Sequence, residues 1–281
     1  MTSKYFFYSL LISFVLLGFA CDEVAPVLNP IDTGGGPVPV AEQERQVLIE
    51  EFTGVRCVNC PAGSAAIEAL RAVYGVKLVA VSIHAGFFAQ PYAESQENLA
   101  TPIGNSILSL LGEPLGYPTA VVNRTRFNGE ENRQVGQSTW AGYIAEELQH
   151  APQVKIDLQR TYNEATREVT VRADLYIVEN ITDPDVRLTV YLTENNLSDS
   201  QLTPAGQQND YIHKHVFRTA LGAFDGDQLS ESLVAGAVVS RSFTYTLAAN
   251  WNPEECHIVA FVHRGGSDLK VLQAHEVGVV E

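Results

Sequence analysis

Basic residues are scarce in this chain of 281 residues. It has 18 lysines and arginines against 33 aspartates and glutamates, which gives a formal net charge of −15. Lys4 is the one base before Cys21, and no acid precedes that cysteine, so the remaining 17 bases and 33 acids leave a net charge of −16. A surface of this sign repels phosphate backbones and favours solubility. The charge therefore argues against nucleic acid as a partner.

The sequence also lacks an apolar run long enough to span a bilayer as a helix. The almost unbroken run Tyr5–Ala20 has sixteen residues, whereas a spanning helix needs about 20. It follows Lys4 and ends in LGFAC, so residues 1–21 match a signal peptide with a bacterial lipobox, although ordinary secretion and a retained anchor stay open. Lipid on Cys21 would hold the protein on a membrane without spanning it. Residues 22–45, rich in Pro and Gly, are predicted to be a flexible tether.

Cysteine occurs only four times, and the spacing does not suggest a disulfide framework. Cys21 belongs to the leader, Cys57 and Cys60 form a CxxC pair, and Cys256 is left over. Two glutamates precede Cys256 directly, and their charge would raise the pKa of its thiol. We therefore expect Cys256 to be inert.

A strand–helix–strand pattern surrounds the CxxC pair. A strand begins at Val47, a helix is predicted over Ser64–Tyr74 with Gly75 as its C-cap, and Lys77–His84 is a near-continuous apolar strand. A CxxC at the strand-to-helix turn of such a unit is typical of a thioredoxin-like redox motif. We predict an α/β thioredoxin-like domain over residues 46–151.

Two further helices complete that domain. The first is predicted within Glu97–Leu111, with an interruption near Pro102. The second is predicted over Thr139–Gln149, with Ser138 as its N-cap.

Two more residues fit the same chemistry. Glu51 lies six residues before Cys57, the spacing of the buried acid that assists proton transfer in thioredoxins. Pro118 resembles the cis-proline that opens the next thioredoxin strand and lies against the CxxC pair. We predict Cys57, at a helix N-terminus beside Arg56, as the nucleophile and Cys60 as the resolving cysteine. Glu51, if buried, would have a raised pKa and would carry the proton.

Other interpretations stay open at this point. The CxxC pair could be a fixed disulfide without turnover, or half of a zinc site, although no second CxxC follows. Arg56 stands where thioredoxins usually carry tryptophan, which weakens the inference of activity. Glu51 could be a solvated carboxylate, and His84 could either approach Cys57 or be a loop histidine bonded to backbone. The solvent exposure of Cys57 distinguishes a catalytic pair from a structural disulfide, since a fully buried sulfur counts against catalysis.

Alternation replaces helical periodicity beyond Pro152, as in Val154, Ile156 and Leu158. Several short strands of this kind, one of them over Tyr211–Thr219, predict an all-β antiparallel sandwich, immunoglobulin-like, over residues 152–281. Two patterns in this region suggest metals, but each lacks the other ligands, so we expect neither a metal nor a cofactor. They are His213 with His215, and Asp225-Gly226-Asp227.

Three longer segments, EEFTGVRCVNCPAG, SIHAGFF and GYPTAVVNR, follow the lipobox-like leader. Together they resemble the outer-membrane lipoprotein family named for a twenty-eight-kilodalton outer-membrane protein, over essentially the whole chain. The resemblance implies a lipid-anchored outer-membrane location, facing the periplasm or the cell surface, and a thioredoxin-like domain. It implies no settled activity, and adhesin or receptor roles are also compatible with it.

Two functional hypotheses follow. In the first, the protein is a thiol–disulfide oxidoreductase for exported proteins, which the CxxC, Pro118 and Glu51 favour. In the second, it is a non-catalytic binding or adhesion lipoprotein that recognises a surface ligand and keeps a structural disulfide, which Arg56 and the large β region favour. We predict the first, with the membrane reached through lipid on Cys21.

Overall fold

The structure is a computed structural model, and it describes residues 40–280. The predicted leader with Cys21, and the tether up to residue 39, lie outside the described residues. The described part is a mixed α/β protein in which strands predominate. Among residues 40–280, no helix is long and apolar enough to cross a membrane.

Three α-helices and fourteen strands form the fold of residues 40–280. The helices are α1 Cys60–Tyr74, α2 Pro102–Leu111 and α3 Trp140–Glu147. The strands are β1 Val47–Thr53, β2 Leu78–His84, β3 Thr119–Val122, β4 Gln134–Gly136, β5 Val154–Asn163, β6 Glu168–Ile177, β7 Val186–Glu194, β8 Leu197–Thr203, β9 Gly206–His213, β10 Val216–Leu221, β11 Asp227–Gln228, β12 Val238–Thr246, β13 Cys256–Arg264 and β14 Val271–Gly278.

One large sheet runs through both halves of the chain. Its strand order is β14-β13-β7-β10-β2-β1-β3-β4, and β11 pairs with β7 beside that path. Strands β1 and β2 are parallel, as the predicted strand–helix–strand unit requires, and β10 joins the side of β2 through Val216 and Ser82. Strands on both sides of Pro152 therefore belong to the same sheet.

The two faces of this sheet are covered differently. On one face, α1 and α3 pack over β1–β3, with Ile67, Trp140 and Ile144 in their core. The three-stranded sheet β12-β6-β5 packs over β7 and β13, with Val171 and Val190 among its core residues. On the opposite face, a single hydrophobic cluster around α2 takes residues from both halves of the chain. Buried apolar area is the main stabilising term in folding, so this shared cluster couples the two halves.

The predicted immunoglobulin-like sandwich is not confirmed. The region after Pro152 is rich in strands, as expected, but five of them, β7, β10, β11, β13 and β14, complete the sheet that begins with β1–β4. The division into residues 46–151 and 152–281 stays a prediction.

Local signals at element ends explain three further differences from the sequence-based prediction. Helix α2 begins at Pro102, because Thr101 accepts a hydrogen bond from Gly104 N as N-cap and proline fits the first helical turn. The helical segment expected before Pro102 is absent. Helix α3 begins at Trp140 after a 3-10 turn, so Ser138 is not its cap. The strand predicted over Tyr211–Thr219 is broken, because His215 has a positive φ of 53°.

Candidate redox site

Cys57 and Cys60 form a disulfide bond, with their Cα atoms 5.4 Å apart. Helix α1 begins at Cys60, four residues earlier than predicted from Ser64, with Asn59 as N-cap and Pro61 in the first turn. Cys57 therefore lies before the helix, in a turn where its N–H donates to Gly54 O at 3.0 Å and its own carbonyl accepts from Cys60 N at 3.3 Å. The predicted pair is present, although Cys60, and not Cys57, is the first residue of the helix.

Glu51 and Pro118 meet at the first turn of α1. The Tyr117–Pro118 peptide bond is cis, as predicted, and Thr119 then opens β3. A Cβ placed on Gly63 would lie 2.6 Å from Oε1 of Glu51 and 2.7 Å from Cβ of Pro118. Glycine is therefore the residue that allows the helix, the carboxyl group and the proline ring to approach so closely. The spacing in the sequence brings these residues together as predicted.

The Glu51 carboxyl group is fully buried, so the interpretation as a solvated carboxylate is wrong. Ser82, its partner in the β1–β2 register, donates its hydroxyl proton to Oε2 at 3.0 Å, while Oε1 has no hydrogen-bond partner. Burial raises the pKa of Glu51 to about 8, and the Ser82 hydrogen bond opposes only part of that rise. At neutral pH this side chain is mostly protonated and can give up a proton.

The disulfide is shielded from solvent. Cys57 is 3% exposed and Cys60 is 1% exposed. The β8–β9 hairpin covers the pair, and Gln201 Nε2 donates to Cys57 O at 3.0 Å. Leu202 N–H donates to Val55 O at 2.7 Å. The site is therefore closed in this conformation.

Arg56 does not face the disulfide as a neighbouring charge. Its guanidinium donates to the carbonyl oxygens of Gln90 and Pro91, at 2.8 and 2.7 Å, and stacks on the Tyr92 ring at 4.4 Å from the centroid. The arginine in place of tryptophan thus fixes the loop after β2 against the CxxC turn.

Two histidines lie at the edge of the site. His84 ends β2, is buried, and has no hydrogen-bond partner on either ring nitrogen, so the interpretation as a loop histidine bonded to backbone is wrong. Its ring stands edge-to-face against His213 with centroids 5.2 Å apart. Burial lowers the pKa of both imidazoles, that of His213 to about 4. Both rings are therefore neutral at pH 7.

The family follows from the C-terminal three-fifths of the sequence. Residues 113–281 match the family model described as "Outer membrane protein Omp28". The chain belongs to the Omp28 family. Its location is accordingly the outer membrane. No curated protein matches this Omp28 chain.

Solved structures share the fold of this Omp28 chain at low identity. HBP35 of Porphyromonas gingivalis has a TM-score of 0.68 at 19% identity, over 84% of this chain and 76% of that one. A structural-genomics target from Agrobacterium tumefaciens has a TM-score of 0.53 at 13% identity, over 85% and 97% of the two chains. A domain of the outer-membrane lipoprotein Omp28 from P. gingivalis gives 0.32 at 20% identity, over 46% and 88%. For the first two structures the likeness concerns the fold alone, and the TM-score of the third is too low to show a shared fold.

The remaining candidate residues of this Omp28 chain lie apart from the disulfide or have structural partners. His215 bonds Glu68 Oε1 at 2.8 Å, while Asp225 accepts from Arg187 at 2.6 Å. Within residues 40–280 no group of three or more His, Cys, Asp or Glu side chains is arranged to hold a metal ion. Cys256 is buried with its pKa raised to about 12 by burial, in keeping with the inert thiol predicted.

Sequence reasoning missed the hairpin that closes the site. Gln201 follows Cys57 by 144 residues, and no local pattern links the two. The polar residues of β8 are at most a weak signal, because they indicate no partner in the chain.

Proposed function

We propose that this outer-membrane protein exchanges thiols and disulfides with exported proteins through Cys57 and Cys60. The observation that carries the proposal is the convergence of the buried Glu51 carboxyl group and cis-Pro118 on the first turn of α1, which begins at Cys60. A fixed disulfide needs neither a buried, protonated carboxyl group nor a cis-proline ring at the first turn of the helix that follows it. Perturbed pKa values of this kind concentrate at functional sites.

The chemistry is a two-electron exchange. A substrate thiolate attacks Sγ of Cys57, the disulfide breaks, and Cys60 leaves as a thiolate that takes the proton of Glu51. A second substrate thiolate then attacks the mixed disulfide, and Cys57 leaves as a thiolate. The substrate gains one disulfide, and the pair becomes a dithiol after Glu51 and Cys57 recover protons from water. Exchange with a second protein disulfide restores the oxidised pair.

The membrane attachment belongs to the same proposal. Lipid on Cys21, with residues 22–39 as the connection to the folded part, is consistent with the outer-membrane location of the family. Replacing Cys21 by alanine removes the acylated thiol, and the protein should then move from the membrane fraction to the soluble fraction. Retention of Cys21→Ala at the membrane would contradict lipid anchoring while leaving the redox proposal intact.

The reduction potential tests the redox proposal. The purified protein is equilibrated against glutathione buffers, and the Cys57–Cys60 pair is followed by alkylation and mass. We expect a value between about −270 and −120 mV, the range of working oxidoreductases. Cys256→Ala is the matched control, because its thiol is buried and should not affect the result. A potential below about −300 mV identifies a structural disulfide and contradicts the proposal.

One observation favours the second candidate function, a binding lipoprotein with a structural disulfide. Cys57 is only 3% exposed, and catalysis needs a sulfur that a substrate can reach. In that case Cys57→Ser and Cys60→Ser would leave ligand binding at the cell surface unchanged and would lower stability alone.

A further inference from the structure

The β8–β9 hairpin is a separate element. Among residues 40–280, its two strands pair only with each other, in a two-stranded sheet of their own. The outer strand, β9, is exposed to solvent over residues 206–210. An element with few pairing partners and a solvated outer strand opens at a lower free energy than the strands of a central sheet.

Both ends of the hairpin are marked by an unusual backbone conformation. Asn196, just before β8, has a φ of 55°, and His215, just after β9, has a φ of 53°. Non-glycine residues adopt this left-handed region infrequently, and Asn and His are among the types that do so most often. These two residues lie where the hairpin leaves β7 and where the chain enters β10. The carbonyl of His215 also accepts from Ser82 N of β2 at 2.7 Å, so that end of the hairpin is held to the main sheet.

The inner strand, β8, meets the CxxC turn mainly through polar groups. Asp199 accepts from the N–H groups of Gln96 and Glu97, at 3.2 and 2.9 Å. Gln201 Nε2 donates to Cys57 O at 3.0 Å and Leu202 O at 2.9 Å, with Gly54 O more distant at 3.4 Å. Water can replace hydrogen bonds of this kind at a small net cost. Opening would exchange these polar contacts for water, and it would part Leu197 from the small apolar cluster of Val55, Leu99 and Val216.

We propose that the β8–β9 hairpin is a lid over the Cys57–Cys60 pair, with Gln201 as its latch and Asn196 and His215 as its hinges. The lid determines which thiols can take part in the exchange. This role rests on the function proposed above. In the closed position it admits only small thiols to Cys57. A protein thiol reaches the pair only when the hairpin turns outward.

Comparing rates with two reductants tests the lid. The full-length protein in detergent is reduced with dithiothreitol, and separately with a reduced dithiol protein of the size of a small domain. The peptide that contains Cys57 and Cys60 is quantified by alkylation and mass. Gln201→Ala removes the latch, and Gln208→Ala is the matched control, because Gln208 pairs with Gln201 across the hairpin but is exposed.

We expect Gln201→Ala to accelerate reduction by the protein dithiol about tenfold, the effect of losing the hydrogen bond to Cys57 O and the longer one to Gly54 O. Reduction by dithiothreitol should accelerate less, and the equilibrium with glutathione should not change. Gln208→Ala should behave as the wild type. Equal rates for Gln201→Ala and wild type, or equal acceleration by both variants, would overturn the lid. The Cys57–Cys60 pair could have a reduction potential too low for exchange and still be reduced faster in Gln201→Ala. That result would overturn the proposed function and leave the lid standing.

Hydrogen exchange on the unaltered protein gives a second test, which does not depend on the folding of a variant. The amide hydrogen of Leu202, which is bonded to Val55 O, should exchange with solvent at the same rate as the other amides of the hairpin. That rate should be well above the exchange rate of the β7 amides. Exchange of residues 197–213 at the same rate as residues 186–194 would show a hairpin fused to the core and would overturn the proposal.

Discussion

At the scale of single residues, Glu51 departs furthest from its ordinary behaviour. Its pKa is raised from 4.5 to about 8, so the folded protein retains a proton that the unfolded chain loses above its lower pKa. Stability therefore falls as pH rises through that interval. We predict that Glu51→Gln removes this loss and stabilises the protein at pH 8 and above by on the order of 4 kcal/mol. The gain in stability should shrink to nothing near the pKa of Glu51 in the unfolded chain. Urea unfolding at a series of pH values measures it. A gain that does not depend on pH would contradict a raised pKa of the buried carboxyl group.

Gly63 offers a second test at this scale. We predict that Gly63→Ala destabilises the protein by roughly 1–3 kcal/mol, since its Cβ would overlap Glu51 and the rigid ring of Pro118. Gly142, in α3, is the control, because a Cβ there meets nothing within 4 Å. Gly142→Ala should stabilise by about 0.5–1 kcal/mol, as alanine is the better helix former. The urea midpoints of the two variants should move in opposite directions. A shift in the same direction would contradict the close packing of Gly63 against Glu51 and Pro118.

At the scale of elements, a buried ion pair joins β1 to β7. Arg124 donates to both carboxylate oxygens of Glu50 at 2.8 Å and to the Tyr191 hydroxyl at 3.0 Å, with the first two side chains fully buried. Removing one partner leaves an unpaired buried charge. We predict that Arg124→Met costs about 3–5 kcal/mol and that the double variant with Glu50→Leu recovers most of it. Chemical denaturation of the single and the double variant measures the two free energies of unfolding. An equal loss of stability in both variants would contradict the prediction.

The elements also show what the sequence can predict and what it cannot. The CxxC turn, Glu51, and cis-Pro118 follow from short spacings around one strand–helix–strand unit, and α1 differs only in beginning at Cys60. The failures at the ends of α2 and α3 were local, but those that changed the architecture depended on distant contacts. The pairing of Val216 with Ser82 and the bond from Gln201 to Cys57 join residues far apart in the chain. Side-chain periodicity carries no information on such partners.

At the scale of the whole molecule, the continuous sheet makes the two halves of the chain interdependent. The cluster that contains Leu48 and Phe52 is completed by Phe217 and Phe261 from the second half. We predict that residues 46–151 alone do not fold, because this apolar face and the edge of β2 would be exposed. Urea unfolding followed by circular dichroism should be gradual for the fragment and a single sharp transition for the full chain. A sharp transition in the fragment would instead support an independent domain.

The position of the hairpin in the chain sets the order of events during biosynthesis. A chain that emerges from its N-terminus presents Cys57 and Cys60 long before Gln201, which follows 144 residues later. Until β8 and β9 have been made, the contacts of Gln201 with Cys57 and of Leu202 with Val55 cannot form. Oxidising enzymes that meet the emerging polypeptide can join the two cysteines without any lid to displace. A disulfide formed at that stage would be enclosed only afterwards, when the hairpin folds over it.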